Sequence, residues 1–307
     1  MITGGAGYIG SVLSKFLLEQ GYFVTVLDNL RYGQNSLLDC CSYQNFQILR
    51  GDVRNESVLS SALKNQNFII HLAALVGAPI CEKNRDDAQS INLDSVKLLL
   101  KLRQNDQRIL FPCTNSGYGI GEKGKFCTED TPLKPISLYG QTKVNAEKLI
   151  LDGKNSISFR FATVFGVSPR MRTDLLVNDF VFKAFHEKHI ELFEGHFQRN
   201  YIHIRDVVRV FLHGIKNFEQ MKNQTYNVGL SDANLSKLEL CEKIQQHISD
   251  FDYVESEFGK DPDKRDYIVS NEKIENTGFK PKFSLDFGID ELIKCYTILP
   301  KMKYGNI

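Results

Sequence analysis

Apolar positions set the layout of this chain. Ile9, Val12, Leu13, Phe16 and Leu17 recur at three- and four-residue spacing, the period of one helix face. Gly21 follows and closes that helix. Phe23-Val24-Thr25-Val26-Leu27 then predicts a buried strand that ends at Asp28. The alternation continues. Strands are expected at 46–49, 68–72, 108–112 and 156–161, and a long helix at 87–103 turns Ile91, Val96, Leu99 and Leu100 inward. Ser137 is placed to cap a helix that carries Tyr139 in its first turn and Lys143 in the next. Strands alternating with helices through residue 165 argue for βαβ units and an α/β fold with a doubly wound parallel sheet. After Gly166 the pattern breaks into shorter pieces. Helices are expected at 175–186, 206–217 and 235–249, with strands at 190–193, 199–204 and ending at 226–229. The chain is read as a dinucleotide-binding region, 1–166, to which the second half crosses back, and a mainly substrate-gripping α/β region, 167–307.

The first strand-to-helix turn carries the first candidate chemistry. Gly4, Gly7 and Gly10 stand at i, i+3 and i+6. Glycine at such a turn can take positive φ and lets a pyrophosphate approach the backbone, where open N–H groups and the positive helix end attract it. This defines a Rossmann-type phosphate turn. An acid at the end of the second strand, Asp28, is placed for ribose hydroxyls and would repel a 2′-phosphate. NAD is therefore expected rather than NADP, although Arg31 lies near enough in sequence to reach such a phosphate. Small residues after the fourth strand, Ala73 and Ala74, leave room for a flat ligand. Only Met1, Ile2 and Thr3 precede the first glycine, whereas strands average about 5 residues. Met1 is read either as an interior position of a longer strand or as the head of a short one.

Tyr139 and Lys143 are spaced i, i+4 and share one helix face. An ammonium beside a phenol favours the phenolate and lowers its pKa from about 10 toward neutrality. Such a tyrosine takes a proton from a sugar hydroxyl while hydride leaves the same carbon. Thr114, at the end of the fifth strand, is placed to hydrogen-bond the reacting oxygen, or to serve as an ordinary turn residue.

Composition narrows the partners. The 307 residues are 42% hydrophobic and 24% charged, within the globular range. A net charge of +1 implies neither nucleic acid nor an anionic membrane as a partner. Seven cysteines, without metal-like spacing, argue for a reducing compartment and no metal site. The longest apolar stretch, 68–81, is too short for a bilayer and carries His71. No signal-peptide pattern opens the chain, so a cytoplasmic protein is expected.

Together, TGGAGYIG, Asp28-Asn29-Leu30, Gly51-Asp52-Val53-Arg54, HLAAL, Asn92, Tyr139-Gly140-Gln141-Thr142-Lys143 and Arg199-Asn200-Tyr201-Ile202-His203 resemble the extended short-chain dehydrogenase/reductase family, in its nucleotide-sugar epimerases and dehydratases. The resemblance implies an NAD site formed by Gly4, Gly7, Tyr8, Ile9, Gly10, Asp28, Asn29, Leu30, Asp52, Val53, Leu72, Ala73, Ala74 and Asn92, together with Tyr139 and Lys143. It makes Thr114, Tyr139 and Lys143 the catalytic trio. Ser116, Thr163, Asn178, Arg199 and Arg265 are expected to bind a nucleotide-diphosphate sugar. Arginine suits the diphosphate because its planar fork bonds phosphate oxygens in pairs. Arg170 and Arg172 stand between that role and a surface ion pair. The family resemblance also implies a homodimer.

Sugar 4,6-dehydratases place Asp-Glu directly after the threonine. Here those positions are Asn115 and Ser116, and neither is an acid–base group near neutrality. Asp174 and Glu194 stand as other acids that could reach in. Oxidation of a hydroxyl remains, with or without return of the hydride to the opposite face. TNSGYG and ATVFGVSPRMRTDLLVN are similar to 4-dehydrogenases of capsule biosynthesis that act on a GDP-linked heptose, which implies a GDP-linked substrate. The alternatives are a 4-epimerase of the UDP-glucose/galactose type and a non-catalytic NAD-binding subunit. The last predicts damage to the trio, which is intact.

Overall fold

The computed structural model describes residues 1–256, 264–299 and 304–306. Seven parallel strands form its main sheet, in the order Gln224–Val228, Ser156–Phe161, Arg108–Thr114, Phe68–His71, Ile2–Thr3, Val24–Asp28, Phe46–Arg50. Central strands are buried on both faces, as helix-covered parallel sheets require. All six residues of Ser156–Phe161 are buried, whereas the edge strand Phe46–Arg50 has none buried. The first strand is only two residues long, yet it pairs with Val26-Leu27 on one side and Ile70-His71 on the other. The chain order reverses here: the next strand in sequence lies to one side of the first, and Phe68–His71 lies to the other. That reversal opens a crevice at the carboxyl ends of the strands.

The seventh strand comes from the second half of the chain, through Gln224–Val228. Helix Ile204–Lys216 also packs on helix Tyr8–Glu19. One apolar cluster consequently joins Leu13 and Leu17 of the first helix to Phe159, Val207 and Phe211. Asn234–Ser236 and Gln198–His203 of the second half join Thr163–Phe165 in a small sheet, with helices Leu176–His186 and Leu285–Ile298 packed together beside it.

Local differences from the sequence expectations have identifiable causes. The expected helix at 87–103 begins at Arg85 and ends at Leu102, and winds as a π-turn over Ser90–Asp94. Asn92 sits inside that turn, with its amide bonded to both backbone groups of Leu75. The expected strand at 23–27 starts one residue later, because Phe23 is 86% exposed. The helix expected at 235–249 is Lys237–Gln245. Ser236 and Glu239 form a reciprocal capping box at its start, and Asn234–Ser236 is drawn into the small sheet. Leu240 is its fully buried leucine. All seven cysteines are free thiols. Among the described residues no helix is long and apolar enough to cross a membrane, and no three His, Cys, Asp or Glu side chains gather to hold a metal ion.

Candidate active site

The crevice is a continuous cleft with two ends. One is built from the first helix turn and the loops after the central strands. Gly4 has φ +69°, and a Cβ there would lie 2.7 Å from the Ala73 nitrogen. A side chain at Gly10 would lie 2.3 Å from the Gly4 carbonyl oxygen. Both glycines are therefore required for turn, helix and neighbouring loop to close on one another. Gly7 caps helix Tyr8–Glu19 without a side-chain bond, and Tyr8, Ile9 and Gly10 line the cleft. The first-turn N–H groups are those a helix leaves without internal partners. Asp28 is fixed at its strand end, accepting from the Ala6 N–H at 2.9 Å and the Leu30 N–H at 2.8 Å. Asp52 is held by Arg54 at 2.9 and 2.7 Å, which keeps its carboxyl below the usual range. Arg31 pairs with Asp87 at 3.1 Å. Open N–H groups, an oriented carboxylate and small residues are the donor set that an NAD molecule needs, and they fit it here.

At the other end, Thr114 finishes strand Arg108–Thr114, and Tyr139 and Lys143 project from helix Leu138–Asp152. Ser137 caps that helix, accepting from the Gly140 N–H at 3.1 Å. The Lys143 ammonium is buried 4.1 Å from the centre of the Phe111 ring, and burial pulls its pKa down to about 8. The sequence reading has this ammonium lowering the Tyr139 phenol. In the structure burial dominates and pushes Tyr139 up, with Arg172 and Arg265 drawing it partly back. Tyr139 is only half-buried by surface, since it faces the cleft, but the walls around it are dense enough to make its anion costly.

Thr114 Oγ1 donates to Ser116 Oγ at 2.9 Å and accepts from the Ser116 N–H at 3.1 Å. The Arg265 guanidinium donates to the same Ser116 oxygen. Asn115 is buried, with neither amide atom hydrogen-bonded among the described residues. The carboxylates that line the cleft are Asp28 and Asp52, both at the far end, among the described residues. Asp174 is engaged by Arg172 at 3.0 and 2.5 Å, and neither it nor Glu194 lines the cleft.

The cleft gathers Gly4, Gly7, Tyr8, Ile9, Gly10, Asp28, Asn29, Leu30, Asp52, Val53, Leu72, Ala73, Ala74, Thr114, Ser116, Tyr139, Lys143, Thr163 and Arg265. Three residues named from the sequence lie outside it. Asn92 clamps Leu75 at 2.7 and 3.0 Å. Asn178 is fully buried, accepting from the Gly166 N–H at 3.0 Å and donating to the Arg172 carbonyl at 2.8 Å and the Tyr8 hydroxyl at 3.2 Å. Arg199 is buried beside Tyr267 and donates to the Gln198 carbonyl at 2.8 Å. Each holds the walls rather than facing the space between them. Arg170 and Arg172 both line the cleft and are buried; Arg172 is ion-paired with Asp174, whereas Arg170 forms no ion pair among the described residues. Tyr32, Ser137 and Asn306 also line it. The SPRMR run pointed toward the arginines; no local pattern marks Tyr32 or Asn306.

Residues 1–229 match the NAD dependent epimerase/dehydratase family. The chain is 26% identical over 311 aligned positions to the low-salt glycan biosynthesis protein Agl12 of Haloferax volcanii, covering 96% of this chain and 97% of that protein. It is 27% identical over 272 positions to a UDP-glucose 4-epimerase of Corynebacterium glutamicum, covering 80% of each. Its fold is similar to that of a UDP-glucuronic acid 4-epimerase from Bacillus cereus, solved with UDP-glucuronic acid and NAD. The TM-score is 0.85 at 23% identity, over 96% of this chain and 98% of that one. The chain belongs to the NAD dependent epimerase/dehydratase family, and its cofactor is NAD.

Proposed function

We propose that this enzyme oxidises the carbon 4 hydroxyl of a nucleotide-linked sugar and stops at the 4-keto sugar. When bound, NAD supplies the acceptor for the hydride that leaves carbon 4. Tyr139 takes the hydroxyl proton, and Thr114 holds the oxygen as it becomes a carbonyl. A buried phenol is a weak base until cations stand near it. Arg172 and Arg265 supply part of that positive surrounding, and Lys143 lines the same cleft. Arg265 also suits the substrate diphosphate.

The observation that carries this reading is that Thr114, Ser116, Tyr139 and Lys143 share a part of the cleft that no described carboxylate lines, with the amide of Asn115 buried next to them in the chain. Elimination of water needs a base for the proton beside the ketone and an acid for the leaving hydroxyl; an amide and a hydroxyl supply neither. TNSGYG and ATVFGVSPRMRTDLLVN resemble the Campylobacter GDP-D-glycero-α-D-manno-heptose 4-dehydrogenase of capsule biosynthesis. That heptose is the proposed substrate, used in the cytoplasm by a homodimer formed through the helices near 87–103 and 137–151. Epimerases among the relatives keep a 4-epimerase as the second reading, with the same oxidation followed by reduction of the opposite face. Incubation with GDP-, UDP-, CDP- and dTDP-linked sugars, followed by NMR of the products, tests both. A stable ketone with matching NADH supports the dehydrogenase. An inverted sugar with no net NADH supports the epimerase.

A further inference from the structure

Arg170 lies in the cleft with no acid paired to its guanidinium among the described residues. Arg170 is 1% exposed, yet it lines the cleft. Among the described residues its guanidinium makes one hydrogen bond, from Nη2 to the Gly305 carbonyl at 3.0 Å, and its Nε is buried without a partner. The guanidinium carbon lies 4.0 Å from the centre of the Tyr32 ring. A buried, under-bonded charge is expensive to keep, and the nearby Arg172 adds like-charge repulsion.

Its position narrows what it awaits. Ser168 joins this segment to the glycine-rich turn, with its hydroxyl donating to the Tyr8 carbonyl at 2.7 Å and bonded to the Ser11 hydroxyl at 3.0 Å. The Arg170 N–H donates to the Ser168 oxygen at 3.2 Å. Tyr32 follows Asp28 by four positions. Arg170 therefore stands in the corner shared by the first helix turn and the loop after Asp28. The other cations that line the cleft are engaged elsewhere: Arg31 with Asp87, Arg172 with Asp174, Arg265 at Ser116, and Lys143 over Phe111.

We propose that Arg170, stacked on Tyr32, binds the diphosphate of the dinucleotide cofactor. It supplies a full charge and a planar fork where the helix end offers only partial charges. Gly305 holds the guanidinium in its stacked position until phosphate oxygens take its free N–H groups.

The test uses the full chain with Arg170→Gln and Arg170→Lys. Calorimetry measures binding of adenosine, ADP-ribose, NAD and GDP. With Arg170→Gln, ADP-ribose and NAD should weaken by roughly 10- to 100-fold, and the salt dependence of their binding should flatten. Adenosine and GDP should bind as they do to the parent. Arg170→Lys should recover part of the loss, because the charge remains and the fork does not. Equal losses for adenosine and ADP-ribose would show a structural residue and overturn the proposal. A loss confined to GDP would move the arginine to the substrate and overturn it as well, as would no loss for any ligand.

Discussion

The two ends of the cleft are made differently. The cofactor end is mostly backbone: Gly4 and Gly10 leave no room for side chains, and Asp28 is fixed by two main-chain N–H groups. The reaction end is mostly side chain: Thr114, Ser116 and Arg265 are hydrogen-bonded in series, and Tyr139 and Lys143 both carry burial-shifted pKa values. A backbone site fixes a ligand shared across many reactions. A side-chain site can change its chemistry with one or two substitutions, as Asn115 and Ser116 illustrate. Substitutions at the reaction end should therefore alter chemistry while leaving the cofactor in place.

The largest effect expected is at Tyr139. Tyr139→Phe removes one oxygen and keeps the ring, so NAD affinity and thermal stability should stay at parent values. Hydride transfer in a single turnover should fall by roughly 100- to 10,000-fold, the usual contribution of an acid–base group. A fall under about threefold would mean that another group takes the proton.

Lys143 should reveal what the reaction end costs the fold. Its pKa lies at about 8 in the folded protein and 10.5 in the unfolded chain. Between these values the unfolded chain binds the extra proton, so stability rises with pH across that window. Below it the buried ammonium costs about 3 kcal/mol. Lys143→Met should be more stable than the parent at neutral pH by an amount of that order. The difference should close as pH passes the upper value in chemical denaturation.

At the cofactor end, Asp28 should hold NADP binding at least about tenfold weaker than NAD, since like charges placed together cost several kcal/mol. Direct titration with both dinucleotides checks this, and equal affinities would break the assignment of Asp28. The smallest effect is expected away from both ends. His247 sits between Asp286 at 3.0 Å and Asp290 at 2.7 Å, and its pKa is raised. Its contribution is fully present below about pH 6.5, the unfolded value, and is lost as pH rises through the folded value. His247→Gln should cost about 1 kcal/mol or less at acidic pH and nothing in mild alkali.

The same contrast explains what could be read from the sequence. Glycine spacing and the acid closing the second strand are local consequences of backbone geometry, so the sequence names most of the residues that line the cofactor end of the cleft. Tyr139 and Lys143 were legible because a helix places i and i+4 together. Asn92, Asn178 and Arg199 carry the same polar atoms whether they face a ligand or the protein, and only the fold places them outside the cleft lining, with bonds to protein groups. The pKa order of Tyr139 and Lys143 needed the burial of both. Asn306 is invisible to any local pattern, because it enters the cleft wall through a bond to the Val76 carbonyl 230 positions away. The π-turn at Ser90–Asp94 is equally hidden from local pattern, and Asn92 within it bonds Leu75, 17 positions away.

Among the described residues the site around Thr114 carries no acid–base pair for elimination, so the proposed reaction ends at the ketone. Incubation of the enzyme with NAD and GDP-D-glycero-α-D-manno-heptose in deuterated water measures this directly by mass spectrometry and NMR. The expected product has lost two hydrogens, carries a carbonyl at carbon 4, and holds no deuterium at carbon 5. A product that has lost water, or that carries deuterium at carbon 5, would contradict the claim and make the enzyme a dehydratase.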